Sequence, residues 1–132
     1  MFNFTTTLSY GLRLLLNLHF TGSSPKQLKR IAQEENISLS YLRKLIPPLE
    51  KADIIKSLKG PGGGFLLKRK PDQVSLLEIV NIFSRSKVID CVRGPSDCRR
   101  YANCAVKDLL EEIYNKTQLV LENKTLATLI KK

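Results

Sequence analysis

The sequence lacks the residues and segments that several large classes of protein require. It contains a single histidine, His19, and no Ser-His-Asp or paired-carboxylate arrangement, so it offers little general-base material for catalysis. No stretch reaches the roughly 18 to 20 apolar residues that cross a bilayer. The richest run, residues 12–20, is interrupted by Arg13 and Asn17. These absences argue against an enzyme and against a membrane-spanning protein.

Cysteine is also scarce, and all three cysteines lie in one short stretch. Cys91, Cys98 and Cys104 are separated by six and then five residues. The N-terminal stretch MFNFTTT lacks the basic region and cleavage site of a signal peptide, so we expect a cytoplasmic protein with reduced thiols. An odd number leaves one thiol without a disulfide partner. The cysteines are therefore predicted to be metal ligands or redox groups.

Acidic residues are outnumbered by basic ones. The chain of 132 residues has 22 Lys and Arg against 12 Asp and Glu, a net charge of +10, and 42% of its residues are hydrophobic. This length suits one compact domain, or a small domain with an appended arm. The basic balance favours an anionic partner, nucleic acid before an acidic membrane surface, although charge that serves only solubility is the alternative.

The apolar spacing predicts four helical segments and one hairpin in the first part of the chain. The first helix is predicted over 5–20, and the second begins at Ser24 and Pro25. The third is predicted over 39–54, capped by Ser38, with a kink or restart at Pro47 and Pro48. A hairpin over 54–69 around GPGGG follows, and then a helix over 74–84 begun by Ser75. Two short helices, a tight turn, a third helix and a hairpin make a winged helix-turn-helix. The predicted fold is mainly α with a small β-hairpin wing.

A fifth and longest helix is predicted over 105–122. Its apolar seam at coiled-coil-like spacing comprises Val106, Leu109, Leu110, Ile113, Thr117, Val120 and Leu121. Too little of the chain remains to cover this seam, so a second copy is the simplest cover and we expect a homodimer. The chain is divided into a winged helix-turn-helix DNA-binding domain (1–84), a cysteine-rich loop (85–104), and a dimerisation helix with a C-terminal segment (105–132).

The third helix is predicted to enter the major groove with its N-terminal end. Ser38, Ser40 and Tyr41 offer hydroxyls to phosphates, and Arg43 and Lys44 are the cations beside them. An arginine there can pair with guanine O6 and N7, which discriminates between bases by about 1–3 kcal/mol. The alternative is a charged helix face that only contacts solvent.

The hairpin carries the second set of predicted DNA contacts. Its four cations are Lys56, Lys59, Lys68 and Arg69, and the tip contains Gly60, Gly62 and Gly63. Glycines let backbone N–H groups approach a phosphate closely. A nucleotide-binding loop is disfavoured because no Lys-Ser/Thr follows GPGGGF and the chain continues as a strand. A plain structural turn remains the alternative.

The cysteine spacing favours an Fe–S cluster over zinc. Zinc sites usually use two-residue spacings, which are absent here, whereas Fe–S clusters accept more varied ones. Arg93, Arg99 and Arg100 lie among the cysteines and favour their thiolate forms. Redox-sensing thiols, a structural zinc site and ordinary buried cysteines remain open.

Several of these segments together resemble the Rrf2 family of bacterial transcription regulators. They are ISLSYLRKL, KADIIKSLKGPGGGFLL, VSLLEIV, the three late cysteines and the closing TLATLI, and they cover nearly the whole chain. The cluster-binding members of that family include iron–sulfur assembly regulators, nitric-oxide-sensing repressors and iron-responsive regulators.

The resemblance implies a function as well as a fold. It implies a homodimer that binds double-stranded DNA, for which we expect a palindromic promoter site. It also implies a [2Fe-2S] or [4Fe-4S] cluster held by the thiolates of Cys91, Cys98 and Cys104. Loss, oxidation or nitrosylation of such a cluster would change DNA affinity. We therefore expect a repressor that senses iron, redox state or nitric oxide.

The sequence departs from the family pattern around the implied cluster. The first cysteine gap is six residues rather than five, and Lys107 stands where many iron–sulfur assembly regulators have His. Ser9 and Arg13 occupy positions from which other members supply a ligand to the partner subunit. The fourth ligand is therefore open among Ser9, Asp90, Asp97, a small molecule or an exposed iron site.

One further departure concerns DNA recognition. Arg43 stands where iron–sulfur assembly regulators typically have a glutamate, and the charge state of that glutamate tunes which of two DNA motifs they accept. We therefore expect this chain not to switch between two DNA motifs. A cluster-free DNA-binding regulator that uses thiols or zinc is the alternative function. An adaptor that docks a protein partner is a further one.

Overall fold

A computed structural model describes residues 5–83 and 98–130 of the chain. The helices and strands in these residues are α1 (Thr6–Thr21), α2 (Leu28–Glu35), α3 (Leu39–Lys51), β1 (Ile55–Leu58), β2 (Gly64–Leu67), α4 (Leu76–Phe83), α5 (Ala105–Glu122) and α6 (Leu126–Ile130). Short 3₁₀ turns occur at Pro71–Gln73 and Tyr101–Asn103. This order confirms a mainly helical fold with a winged helix-turn-helix.

The hydrophobic core lies between α1, α2 and α3 and continues under the hairpin and α4. It is built from fully buried aliphatic side chains, among them Leu14, Leu15, Leu18, Ile31, Leu42, Leu49, Ile54 and Ile79. In α1 Leu14 and Leu18 face the core, whereas Phe20 is 71% exposed. α1 also packs closely on α4, since a Cβ atom on Gly11 would lie 2.4 Å from the Phe83 ring.

The start of α2 differs from the sequence prediction. Ser24 and Pro25 were expected to begin this helix, but Gln27 is its N-cap and Leu28 its first residue. The reason is a long-range contact: the backbone of Lys26 forms an isolated antiparallel bridge with Phe65 in β2. The residues before α2 are thereby held extended against the wing.

α3 runs as one helix through Pro47 and Pro48, so of the predicted kink or restart the restart is wrong, and the kink stays a prediction. Two prolines remove the N–H donors that would reach the carbonyls of Arg43 and Lys44. Both of these residues are exposed, so water can solvate the freed carbonyls. The cost of the two missing hydrogen bonds is therefore reduced.

The predicted hairpin is confirmed as an antiparallel pair. Ile55 faces Leu67 and Leu58 faces Gly64, which leaves residues 59–63 as the tip. Gly60 and Gly62 have φ angles of 95° and 75°, in the left-handed region that glycine accepts without strain. The glycine-rich tip is thus required by backbone conformation.

The C-terminal segment returns to the N-terminal part of the chain. The amide of Leu76 donates to the carbonyl of Lys124 at 2.8 Å, and the amide of Leu126 donates to the carbonyl of Val74 at 2.9 Å. Leu126 is fully buried. The segment that follows α5 is therefore held against the residues at the start of α4.

Candidate nucleic-acid interface and cysteine segment

The first turn of α3 presents a polar, basic surface. Ser38 is the N-cap, and its Oγ accepts a hydrogen bond from the amide of Tyr41 at 3.2 Å. Ser38, Ser40, Arg43 and Lys44 are all exposed. Ser40 is three and four residues before the two cations, so the three side chains share one helix face. The structure thus places four of the five residues predicted for this helix at the surface.

Tyr41 is placed differently from its four neighbours. It is half-buried, its hydroxyl lies 2.5 Å from the hydroxyl of Thr7, and its ring meets the Tyr10 ring edge-on at 5.2 Å between centroids. The side chain therefore packs on α1 as well as belonging to the recognition helix. A hydroxyl both donates and accepts, so that of Tyr41 can accept from Thr7 and donate to a phosphate.

The four cations of the hairpin divide into two pairs. Lys68 Nζ lies 3.0 Å from Asp53 Oδ1, and Arg69 lies 2.6 Å from Glu78 Oε1. Lys56 and Lys59 are exposed, and no carboxylate of the described residues is ion-paired with either. The charge available to an external anion on the wing is therefore that of Lys56 and Lys59.

The glycines of the wing tip also divide by role. A Cβ atom on Gly60 or Gly62 would meet nothing within 4 Å, and both residues are exposed. Gly63 is half-buried, and a Cβ atom there would lie 2.2 Å from the carbonyl oxygen of Leu58. Its amide donates to the carbonyl of Gly60 at 3.0 Å. Gly63 therefore has a packing role within the hairpin, in addition to the DNA contact predicted for it.

Sequence reasoning missed a polar network between α1, α2 and the wing. Lys26 Nζ donates to Asn17 Oδ1 at 2.7 Å and to a carboxylate oxygen of Glu34. The Asn17 amide donates to Glu34 at 3.0 Å and to Glu35 at 2.8 Å. Arg13 is ion-paired with Glu35 at 3.1 Å. The signal in the sequence was Asn17, a polar residue inside an otherwise apolar helical run.

The network perturbs the ionisation of one carboxyl group. The hydrogen bond from the Lys26 ammonium, followed by that from Asn17, lowers the pKa of Glu34 from 4.5 to about 2. Partial desolvation acts in the opposite direction, and Arg30 adds a smaller lowering effect. Glu34 is therefore held as a carboxylate over the whole physiological pH range.

The cysteine segment is described from Cys98 onward. Cys91, Asp90 and Asp97 lie outside the described residues. Cys98 is exposed, Cys104 is half-buried, and the Tyr101–Asn103 turn separates them, with the amide of Tyr101 donating to the carbonyl of Cys98 at 3.0 Å. Within residues 5–83 and 98–130, no three His, Cys, Asp or Glu side chains are grouped as a metal site would require.

The chemistry of the two described cysteines fits a thiolate-ligated cofactor. Cys104 is the N-cap residue of α5, and the N-terminal end of a helix favours an anionic neighbour. Neither thiol is enclosed in the hydrophobic core. Fe–S clusters are held by such cysteine thiolates. Two of the three predicted ligands therefore have suitable surroundings.

Two further positions matter for the predicted fourth ligand. Ser9 is exposed and lines a groove of about 560 Å³ on α1 together with Thr5, Tyr10 and Leu12. Lys107 lies over the ring of Tyr101, with its Nζ 4.3 Å from the ring centroid. The Lys107 ammonium therefore holds the turn between the two cysteines against the first turn of α5.

Known proteins resemble this chain over most of its length. The family model described as "Iron-dependent Transcriptional regulator", Rrf2, matches residues 4–132. The chain belongs to the Rrf2 family. It is a DNA-binding transcriptional regulator, like the relatives it matches, and regulators of this kind are not enzymes. No helix in the described part of this Rrf2 protein is both long and apolar enough to cross a membrane.

Individual relatives support both the sequence and the fold assignment. The HTH-type transcriptional regulator IscR of Sodalis glossinidius is 32% identical over 110 residues, which are 83% of this chain and 67% of the relative. The HTH-type transcriptional regulator CymR of Bacillus subtilis is 30% identical over 112 residues, 83% of this chain and 81% of the relative. The solved structure of T. potens IscR has a TM-score of 0.78 at 28% identity and covers 98% of this chain and 86% of that one.

Proposed function

We propose that this Rrf2 protein is a homodimeric repressor that binds a palindromic promoter site and responds to an Fe–S cluster. The observation that carries the DNA-binding part is the pair of exposed basic surfaces on α3 and on the wing. These two surfaces identify the residues of this chain to which we assign the contacts with DNA. The protein would act in the cytoplasm, where its DNA is.

The two basic surfaces would make different kinds of contact. Arg43 and Lys44 lie one turn into a helix whose N-terminal end enters the major groove in helix-turn-helix proteins. We assign base recognition to Arg43 and phosphate contacts to Ser38, Ser40, Tyr41 and Lys44. Lys56, Lys59 and the backbone of Gly60, Gly62 and Gly63 would contact the DNA backbone from the wing.

The dimer would be formed through α5. In a lone chain its apolar side chains are between 41% and 59% exposed: Val106, Leu109, Ile113, Leu119 and Val120. Four of these side chains, all except Leu119, form one stripe along the helix, and an exposed apolar stripe marks an interaction surface in a water-soluble protein. Val106, Leu109, Ile113 and Val120 are at the seven- and three-to-four-residue spacings of a helix pair. A second copy of the same helix is the simplest partner.

The cluster would be [2Fe-2S] or [4Fe-4S] and held by Cys91, Cys98 and Cys104. When bound, such a cluster supplies iron that reacts with oxidants or nitric oxide and that reports iron supply. The fourth ligand is proposed among Ser9, Asp90 and Asp97. Cys104 directly precedes α5, so any restraint on the Cys104 thiolate acts on the dimer helix and thereby on the distance between recognition helices. Half-sites lie about 34–36 Å apart, so DNA affinity is sensitive to that distance.

Two measurements test this proposal. An anaerobic absorption spectrum of freshly purified protein, with iron and acid-labile sulfide counted per chain, tests the cluster. Visible bands with matched iron and sulfide support it. A colourless protein after anaerobic reconstitution, or one containing zinc, would instead support the cluster-free alternative in which the thiols themselves react.

The second measurement tests the coupling between the cysteines and DNA. Affinity for a palindromic promoter fragment and for random DNA is compared at one fixed salt concentration, because electrostatic binding varies steeply with salt. Cys98→Ala should remove the cluster and change the affinity for the palindrome. If Cys98→Ala changes neither cluster content nor affinity, the coupling is wrong. Equal affinity for both fragments would contradict specific recognition.

A further inference from the structure

Lys26 is a charged residue in a position where lysine is rarely found. Its side chain is only 9% exposed, and it lies between α1 and α2. The ammonium reaches both helices, since it donates to Asn17 of α1 at 2.7 Å and to Glu34 of α2. Buried lysines are uncommon unless their charge is paired, and this one is. The side chain therefore joins the first two helices.

The backbone of the same residue is joined to the wing. The amide of Lys26 donates to the carbonyl of Phe65 at 2.9 Å, and the amide of Phe65 donates to the carbonyl of Lys26 at 2.8 Å. The approach is close, because a Cβ atom on Gly64 would lie 2.4 Å from the Lys26 carbonyl oxygen. One residue thus connects α1, α2 and β2.

We propose that Lys26 is the positioning residue of the wing, which holds β2 at a fixed place relative to α1 and α2 so that Lys56 and Lys59 reach DNA together with α3. The inference rests on the proposed contacts of the wing lysines with DNA. Lys26 itself contacts no DNA in this proposal, because its ammonium is enclosed by Asn17 and Glu34. Its effect is exerted through the strand that it pairs with.

The alternative is that Lys26 only adds stability as one ion pair among several. The burial of its ammonium argues against an incidental pair. Arg30 also bonds Glu34, at 3.0 Å, but it is 72% exposed, and exposed pairs contribute little. The Lys26 hydrogen bond is the largest cause of the lowered Glu34 pKa, and the bond from Arg30 is a smaller one. A directional hydrogen bond of this kind fixes the orientation of the Lys26 side chain as well as contributing to stability.

A double-mutant cycle on DNA affinity separates positioning from stability. The four proteins are the wild type, Lys26→Met, Lys59→Ala and the double variant, and affinity for one promoter fragment is measured at one salt concentration. If Lys26 places the wing, Lys59→Ala lowers DNA affinity by a larger factor when it is made in the wild type than when it is made in Lys26→Met. We expect the two factors to differ by at least about twofold, the lower range of coupling between interacting residues.

A second readout does not depend on DNA. The amide of Phe65, which is hydrogen-bonded to Lys26, should exchange with solvent faster in Lys26→Met, while the amides of Leu45 and Ile46 in α3 keep their wild-type rates. Lys51→Met is the matched control, because it removes the same charge from an exposed side chain at the C-terminal end of α3. It should alter neither the cycle nor the exchange of Phe65. Should Lys26→Met fail to fold, Glu34→Gln weakens the same contact and is measured in the same way.

The outcomes of the cycle and of the exchange measurement are distinguishable. Equal effects of Lys59→Ala in both backgrounds overturn the positioning role and leave the proposed wing contact intact. No effect of Lys59→Ala in the wild type overturns the wing contact itself. An unchanged exchange rate at Phe65 in Lys26→Met overturns the positioning role whatever the DNA result.

Discussion

The hydroxyl oxygens of Thr7 and Tyr41 lie 2.5 Å apart and join the first turn of α1 to the first turn of the recognition helix α3. The Tyr10 ring packs edge-on against Tyr41, and the Arg13 guanidinium lies 5.5 Å from the centre of the Tyr10 ring. The recognition helix is therefore held in place by polar and aromatic contacts with α1 as well as by its apolar face. Two substitutions can separate this packing role of Tyr41 from its proposed contact with DNA.

Thr7→Val and Tyr41→Phe each remove one side of this hydrogen bond. Each should lower the free energy of unfolding by about 1 kcal/mol, the usual net value of such a bond. Tyr41→Phe should lower DNA affinity more than Thr7→Val does, because it also removes the proposed phosphate contact. Urea unfolding and fluorescence anisotropy with one promoter fragment measure the two effects. Equal losses of DNA affinity would show that the Tyr41 hydroxyl acts only by packing.

The features that could be predicted from the sequence are local ones. Ser38 as the cap of α3 and Ser75 as the cap at the start of α4 are both seen, because capping depends on residues three positions apart. The apolar positions of α3 are buried as expected from a helical period. The exposed seam of α5 was also predictable, since its spacing is regular.

The features that could not be predicted depend on contacts between distant segments. α2 begins at Leu28 because Lys26 is paired with Phe65, and neither residue has a local signal for that bridge. Lys68 and Arg69 looked equivalent to Lys56 and Lys59, but Asp53 and Glu78 pair with them. The assignment of basic residues to DNA therefore required the tertiary structure. Cys91, Asp90 and Asp97 lie outside the described residues, so their roles stay predictions.

Replacing Arg43 and replacing Lys59 by alanine should change DNA binding in different ways. Arg43→Ala should cost about 1–3 kcal/mol on the cognate fragment and relax base preference at one position of each half-site. Lys59→Ala should weaken binding to cognate and random DNA alike and reduce the salt slope by about 1 per lost phosphate contact. Binding titrations at several salt concentrations on both fragments measure these effects.

Lys51→Ala provides the charge-matched control for both substitutions, since Lys51 is exposed at the C-terminal end of α3, beyond the residues assigned to DNA. It should leave base preference and salt slope close to the wild-type values. If Arg43→Ala weakens binding to both fragments by the same factor, Arg43 contacts phosphate and base recognition belongs to another residue.

Ile113→Asp should convert the protein to a monomer. Ile113 lies in the middle of the apolar face of α5, and a carboxylate there would be desolvated against a second copy of the helix. Sedimentation equilibrium measures the mass, and the affinity for a palindrome should fall with it. Asn115→Asp is the control, because it introduces the same charge on the opposite side by helical spacing. A dimer that persists in Ile113→Asp would show that α5 is not the interface.

Stability should decrease in acid in a way that depends on Glu34. Its pKa is 4.5 without its partners and about 2 with Lys26 and Asn17 bound to it. The folded state thus favours the carboxylate, and this stabilisation is complete above pH 4.5 and is lost as the pH falls toward 2. Urea unfolding at several pH values across this interval should show a shallower dependence for Glu34→Gln than for the wild type. Glu111→Gln on α5 serves as the control and should follow the wild-type curve. If the Glu34→Gln and wild-type curves are parallel, the contact between Glu34 and Lys26 contributes no pH-dependent stability.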